Sequence, residues 1–144
     1  MEKIFELTMV DNLSFDEIMK QGINYRIDTV IGALSVRAGQ NIYAQGWENT
    51  SENERLVYVI DEICRHCYMD GIDFFLDQAE PRVKNSAIWA LETIKSKRKS
   101  AIIKTALAGD VNVNFEKLTS EWCRDKEDID LSHSKSPRLE PNRA

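Results

Sequence analysis

The 144-residue chain is long enough for one hydrophobic core and short for two, so we expect a single compact domain. Its residues are 42% hydrophobic and 30% charged, with a formal net charge of −5, which excludes an intrinsically disordered chain. No segment reaches the roughly 18 consecutive apolar residues of a membrane span, and the N-terminal residues lack the pattern of a signal peptide. Three cysteines do not suggest a disulfide framework. We therefore expect a cytoplasmic protein with no membrane segment.

Apolar residues recur along most of the chain at a spacing near 3.6, and only three prolines interrupt it. This pattern predicts an all-α fold of about six to seven helices. The first thirteen residues and Phe15 to Met19 are predicted to form short helices. A longer helix, ending near Gly39, is predicted from one apolar stripe. The stripe consists of Ile27, Val30, Ile31 and Leu34.

A capping box, Ser51-Glu52-Asn53-Glu54, predicts that the next helix begins at about Glu52. Gly71 is expected to end it in the left-handed conformation. The apolar residues of this helix fall three and four apart, on one stripe that faces a core. They are Leu56, Val59, Ile60, Ile63, Cys64 and Cys67.

Three further helices are predicted downstream of a short apolar segment, Ile72 to Leu76. Pro81 is expected at the first position of one helix. A second is predicted over Ser100 to Leu107, with Gly109 ending it, and the last runs from Phe115 to about Lys126. The buried face of the helix that begins at Pro81 is expected to contain Val83, Ala87, Ala90, Leu91 and Ile94.

The composition of the C-terminal residues differs from that of the rest of the chain. From about position 130 onward, serine, proline, lysine and arginine replace the periodic apolar residues. We therefore predict a helical domain over residues 1–129 and a disordered tail over residues 130–144.

Charge is distributed unevenly along the chain. Residues 1–81 contain fifteen acidic and six basic residues, whereas residues 82–109 contain one acidic and seven basic residues. Solvation of helix surfaces explains most such blocks. The functional alternative is an acidic recognition surface that steers the protein toward a basic partner. The candidate contact residues of that surface are Asp61, Glu62, Asp70, Asp73, Asp77 and Glu80.

The last three of these carboxylates, Asp73, Asp77 and Glu80, lie four and three residues apart. If residues 72–78 are helical, Asp73, Asp77 and Glu80 share one outward face of the helix. Like charges so close together cost a few tenths of a kcal/mol per pair, a mild anomaly, while the N-terminus of a helix favours acids such as Asp70 and Asp73.

The pair in Cys64-Arg65-His66-Cys67 has the spacing of redox and zinc sites, but its context favours neither. It falls well inside a predicted helix, whereas a redox pair gains its low thiolate pKa at a helix N-terminus. A zinc site would need two further ligands at a ligand spacing. We therefore predict buried structural cysteines, no metal and no cofactor. Because no catalytic motif is present, we do not expect an enzyme.

The basic run Lys95-Ser96-Lys97-Arg98-Lys99 lies where one helix ends and another is about to begin. Cations there would complement the negative end of the preceding helix. Since the run has no interleaved aromatic residues and the chain is acidic, we do not expect direct nucleic-acid binding.

The segment from Asn53 to Ala106 resembles a family of small bacterial helical proteins that includes a DNA mimic. In that family, a Glu-Arg helix leads into the turn Asn-Gly-Gly-Phe-x-Gln-Phe-Phe-x-Asn. The corresponding stretch here is Met69-Asp70-Gly71-Ile72-Asp73-Phe74-Phe75-Leu76-Asp77-Gln78. The resemblance implies an all-helical fold. It also implies a protein whose carboxylates are spaced like phosphates, so that it occupies the DNA-binding surface of a basic protein.

Two functions are consistent with the sequence. The first is a non-catalytic, acidic protein-interaction module that binds a basic nucleic-acid-binding protein. The alternative is an immunity or antitoxin-type inhibitor of a specific toxin or enzyme, with Trp47, Tyr58 and Trp89 as aromatic anchors. Ile88 and Trp89 are also a candidate patch for homodimer formation.

Overall fold

A computed structural model of the protein describes residues 3–125. Within this part of the chain there are seven α-helices, three short 3-10 helices and no strand, with one isolated β-bridge between Lys3 and Tyr25. The predicted all-helical fold is therefore confirmed. The predicted tail, residues 130–144, lies outside the described residues. The described residues fall into two compact units, one up to Tyr58 and the other from Val59.

The first unit is built around a long helix, α2. The chain passes through a 3-10 helix, Leu7–Asn12, before α1, Phe15–Gln21, and through a second, Gly22–Asn24, before α2, Ile27–Gln45. A third 3-10 helix, Trp47–Asn49, leads to α3, Glu52–Met69. The buried side chains of this unit include Phe5, Val10, Phe15, Ile18, Val30, Leu34 and Ile42.

The helix α2 is longer than predicted, because it does not end near Gly39. The helix continues through Gly39 because its buried side continues on either side of that position, at Ala38 and at Ile42 one turn later. The helix instead ends before Gly46, whose φ is +88°.

The start of α3 follows the sequence prediction. The Glu54 amide donates to Ser51 Oγ and the Ser51 amide donates to Glu54 Oε1, both at 3.1 Å, which is the predicted capping box. All the predicted stripe residues are buried except Cys64, which is half-buried. Val57 is buried as well, so the apolar face is wider than the predicted stripe.

The second unit contains the end of α3 and four further helices. They are α4, Ile72–Gln78, α5, Pro81–Thr93, α6, Lys97–Leu107, and α7, Phe115–Arg124. Pro81 occupies the first turn of α5, as predicted, and the five residues of its predicted buried face are buried. The main large side chains of this core are Ile63, Ile72, Phe75, Leu91, Ile103 and Trp122.

The helix α6 begins three residues earlier than predicted. The preceding helix α5 is closed by Lys95 at φ +67°, with the Ser96 amide donating to the Leu91 carbonyl oxygen at 2.9 Å. Lys97, Arg98 and Lys99 therefore lie in the first turn of α6. The prediction that this run complements the C-terminal end of the preceding helix is wrong for these three residues, since they lie at a positive helix end.

Candidate functional site

The six predicted acidic contact residues all belong to the second unit. Five of them are exposed, and Glu62 is half-buried. They are Asp61 and Glu62 on α3, Asp70 in the turn that follows, Asp73 and Asp77 on α4, and Glu80 directly before α5.

A tight turn positions the acids that follow α3. The amides of Asp70 and Gly71 both donate to the carbonyl oxygen of His66, at 2.9 and 3.0 Å. Gly71 has the positive φ that the sequence predicted, +99°, but its ψ of 163° lies outside the left-handed helical region. A Cβ there would lie 2.9 Å from Asp73 Oδ1, so a larger residue would both strain the backbone and crowd this carboxylate. The Ile72 amide donates to Thr119 Oγ1 at 3.0 Å and holds the start of α4 on α7.

The short helix α4 separates an apolar side from an acidic one. Ile72 and Phe75 are fully buried, whereas Asp73, Phe74 and Asp77 are exposed. Asp73 and Asp77 lie four residues apart and so share one face, about 5–6 Å apart at Cβ. We refer to the exposed carboxylates Asp70, Asp73 and Asp77 as the acidic segment.

Glu80 does not share this face, contrary to the prediction. The helix α4 ends at Gln78, and Ala79 has an extended backbone, so the helical spacing is interrupted before Glu80. The Glu80 carboxylate instead pairs with Arg82, with Oε2 3.0 Å from Nε.

The two acids on α3 differ in their surroundings. Glu62 pairs with Arg65 and lies 3.4 Å from Nε2 of His66, and its side chain is only 14% exposed. It is therefore engaged inside the unit. Asp61 is exposed at the surface of α3, but neighbouring groups partly remove its water, and this loss together with the charge of Glu62 raises the pKa of its carboxyl.

Of the seven basic residues at positions 82–104, Arg82, Lys84, Lys99 and Lys104 are engaged by other groups of the same unit, whereas Lys95, Lys97 and Arg98 are exposed. Besides the Arg82 pair, Lys104 lies 3.1 Å from a Glu92 oxygen. Lys84 Nζ donates to the Leu76 carbonyl oxygen at 2.9 Å. Among the described residues, no lysine or arginine lies within ion-pair distance of the acidic segment. The acidic segment therefore retains its charge toward solvent.

The three predicted aromatic anchors are not grouped as one exposed cluster. Trp47 and Tyr58 belong to the first unit, are half-buried, and pack edge to face with ring centroids 6.3 Å apart. Trp89 lies on α5 and is 36% exposed. Trp47 and Tyr58 thus contribute to packing within their unit, and Trp89 is the more accessible anchor.

The second unit contains a buried ion pair, Lys99 with Asp125, that the sequence did not predict. Lys99 is fully buried, and its Nζ lies 2.9 Å from Oδ2 of Asp125, which is also nearly buried. The same Nζ lies 5.2 Å from the ring centroid of Trp122 and 6.0 Å from that of Tyr68. The sequence did indicate that this lysine faces the core. Lys99 precedes the buried residues Ile102, Ile103 and Ala106 by three, four and seven positions, so it lies on the same side of α6 as they do.

The thiols of the Cys-x-x-Cys pair are unsuited to nucleophilic chemistry. Burial, reinforced by the charge of Asp61, raises the pKa of Cys64 to about 12, although Lys99 opposes this shift. Burial also raises the pKa of Cys67. Both thiols are therefore protonated near neutral pH, and the thiolate is the reactive form. No group of three histidine, cysteine or acidic side chains in residues 3–125 is arranged to hold a metal ion.

An open pocket of about 510 Å³ is lined by side chains of α6 and α7 and by Asp125. Its described lining combines two guanidinium groups and two carboxylates with a small apolar floor, and it contains no histidine, cysteine or serine. This lining can bind charged groups but offers no nucleophile. The lining residues are Arg98, Ala101, Ile102, Glu121, Arg124 and Asp125.

No protein-family model, curated protein or solved structure matches this chain. None of the described helices is both long enough and apolar enough to span a lipid bilayer.

Proposed function

We propose that this protein is a non-catalytic binding module whose acidic segment, Asp70, Asp73 and Asp77, binds a basic protein. The observation that supports the proposal is the difference between the two charge blocks. The acids of the segment are exposed, and no lysine or arginine of the described residues lies within ion-pair distance of them. Among the basic residues of positions 82–104, Arg82 is paired, Lys99 is buried and Lys84 is bonded to the backbone, whereas Lys95, Lys97 and Arg98 are exposed at the α5–α6 junction. A net negative surface is therefore available to a partner.

The family resemblance suggests how such a surface would act. Carboxylates one helical turn apart on α4 would take the place of phosphates and occupy the nucleic-acid site of a basic protein. Lysine and arginine side chains that bind phosphate would pair with Asp73 and Asp77, and the exposed ring of Phe74 would add apolar contact at the same place. Attraction of this kind accelerates association and weakens as salt screens exposed charges.

The test compares the wild-type protein with two variants that lose the same number of charges. The first variant is D70N/D73N/D77N in the acidic segment. The control is E6Q/D11N/E48Q, which removes three exposed acids of the first unit. Each protein is used to capture partners from lysate at about 50 mM and about 300 mM salt, since screening lengths fall well below 10 Å only at the higher concentration.

We expect the wild type and the control to retain one basic nucleic-acid-binding protein at low salt and to lose it at high salt. With that protein purified, the triple variant should bind at least roughly tenfold more weakly than the control. Equal binding by both variants, or an affinity that does not change with salt, would overturn the proposal.

An inhibitor of the immunity or antitoxin type is the second candidate, because Trp89 is partly exposed at the surface of α5. Such a complex would survive high salt. Trp89→Ala would then weaken binding by about 2 kcal/mol or more, the usual effect of a hot-spot residue, and the triple acidic variant would not.

A further inference from the structure

Basic side chains are concentrated at the N-terminal end of α6, where the partial charge of a helix is positive. Lys97, Arg98 and Lys99 occupy its first turn, which contains no acidic residue. No side chain caps the amides of this turn, although Ser96 stands at the capping position. Cations are disfavoured at such an end and anions are favoured, so the first turn of α6 is suited to an anion.

Ion pairing inside the unit neutralises only one of these three cations. Lys99 is buried and pairs with Asp125 at 2.9 Å. Arg98 Nη1 lies 4.0 Å from the other carboxylate oxygen of Asp125, too far for a hydrogen bond, and its side chain is 79% exposed. Lys97 is exposed, and no acidic side chain of residues 3–125 lies within ion-pair distance of it. The charges of Lys97 and Arg98 are therefore directed at solvent.

A buried hydroxyl lies at the same end of α6. Ser96 is 1% exposed, and its Oγ has no hydrogen-bond partner among the described residues. Buried hydroxyls in folded proteins are nearly always hydrogen-bonded. Because Ser96 directly precedes α6, its hydroxyl lies beside the amides of the first turn. It can therefore donate to an anion that binds those amides.

A pocket between α6 and α7 begins at this turn, since Arg98 is part of its lining. We refer to it as the α6–α7 pocket. Arg124 lines the α7 side, and its Nε donates to the Ser120 carbonyl oxygen at 3.3 Å. Two guanidinium groups at one opening are suited to a phosphate group, whose oxygens they bind through paired hydrogen bonds. The volume of about 510 Å³ falls within the range of small-molecule sites, roughly 300–1,000 Å³.

The carboxylates of the pocket do not cancel these cations. Asp125 is already paired with Lys99. Glu121 is half-buried, and no basic side chain of the described residues lies within ion-pair distance of it. It can accept a hydrogen bond from a hydroxyl group of a ligand, and Ala101 and Ile102 offer apolar contact. The lining therefore fits a ligand with an anionic group at one end and a hydrogen-bond donor at the other.

We propose that the α6–α7 pocket binds a small molecule that has one phosphate group. The phosphate oxygens accept from Arg98, Arg124 and the first-turn amides of α6, and a hydroxyl of the ligand donates to Glu121. A phosphate fits better than a carboxylate, because it presents three acceptor oxygens and more negative charge to these donors. A nucleic-acid strand fits poorly, since Glu121 and the net charge of −5 repel its successive phosphates.

Titration of the full chain, labelled with nitrogen-15 and followed by its amide chemical shifts, tests the proposal. The probes are inorganic phosphate and glycerol 3-phosphate at about pH 7.5, where both are largely dianions. Ionic strength is held constant with chloride, so that general screening is the same at every point. The variants are Arg98→Gln and Glu121→Gln. The control is Lys20→Gln, which removes one exposed cation of the first unit.

We expect phosphate to shift the amides of residues 97–99 and 124, with a dissociation constant below about 10 mM. Arg98→Gln should weaken binding at least about tenfold, and Lys20→Gln should leave it within about twofold of the wild type. Glu121→Gln should bind inorganic phosphate more tightly, because it removes a like charge from the pocket. Glycerol 3-phosphate should bind the wild type more tightly than inorganic phosphate does, through its hydroxyl groups.

Three results would contradict the proposal. They are shifts spread evenly over the exposed lysines of both units, an affinity that Arg98→Gln leaves unchanged, and weaker binding of glycerol 3-phosphate than of inorganic phosphate. Because the α6–α7 pocket contains no residue of the acidic segment, each result is independent of the proposed function.

Discussion

Replacement of Lys99 by methionine should destabilise the protein strongly. Methionine keeps the length and the apolar stem of the side chain, so the packing on Trp122 is largely preserved while the charge is lost. At 2.9 Å and an effective dielectric constant of about 20, the Lys99–Asp125 attraction is on the order of 6 kcal/mol, and desolvation of the two ions opposes it. Removal of one partner leaves the Asp125 carboxylate buried without this pairing. We therefore expect a loss of about 3–5 kcal/mol in the free energy of unfolding.

A double-mutant cycle separates the ion pair from the packing. The cycle comprises Lys99→Met, Asp125→Asn and the double variant, each unfolded in urea at pH 7 and followed by tryptophan fluorescence. Each single variant should lose several kcal/mol, and the double variant should lose at least about 2 kcal/mol less than the sum of the two. If the two losses of unfolding free energy were additive, or if Lys99→Met lost less than about 1 kcal/mol, the two charges would not stabilise each other and the prediction would be wrong.

Three further predictions concern backbone strain, thiol reactivity and a crowded carboxyl. Lys95→Gly should raise the free energy of unfolding by about 1 kcal/mol, because a φ of +67° is costly for lysine and not for glycine. Urea unfolding of both proteins measures the difference, and an unchanged stability would show that the backbone at Lys95 is not strained. A thiol reagent at pH 8 should modify the exposed Cys123 rapidly, and Cys64 and Cys67 only after denaturation; rapid modification of all three would contradict the raised pKa values. Asp61→Asn should stabilise the fold slightly at pH 7, because the folded state raises the pKa of this carboxyl and so disfavours its charged form. The gain should vanish below the ordinary pKa of 3.8, where the carboxyl is protonated in both folded and unfolded chains, and a gain that persists at pH 3 would refute this cause.

Local signals in the sequence determined much of the secondary structure. The capping box at Ser51 and Glu54 predicted where α3 begins, and Pro81 predicted where α5 begins. These predictions succeeded because each depends on hydrogen bonds or dihedral angles within a few residues of the helix end. The apolar period likewise predicted which sides of α3 and α5 are buried.

The candidate site was predicted only in part. The sequence identified Asp70, Asp73 and Asp77, which are exposed, because turn and helix spacing place short acidic side chains at a surface. It placed Glu80 wrongly on the same face as Asp73 and Asp77, because helical spacing cannot show that the backbone becomes extended at Ala79.

The sequence by itself determined that the chain is helical and where most helices begin, because those properties depend on neighbours along the chain. The tertiary structure alone decided what surrounds each position. It buried Ile42 one turn beyond Ala38, so that α2 continues through Gly39 and ends at Gln45. It also placed Asp125 beside Lys99. This pairing allows a lysine to be buried on the side of α6 that is otherwise apolar. A buried charge requires a partner, and here the partner lies 26 residues away along the chain, where no local pattern can identify it.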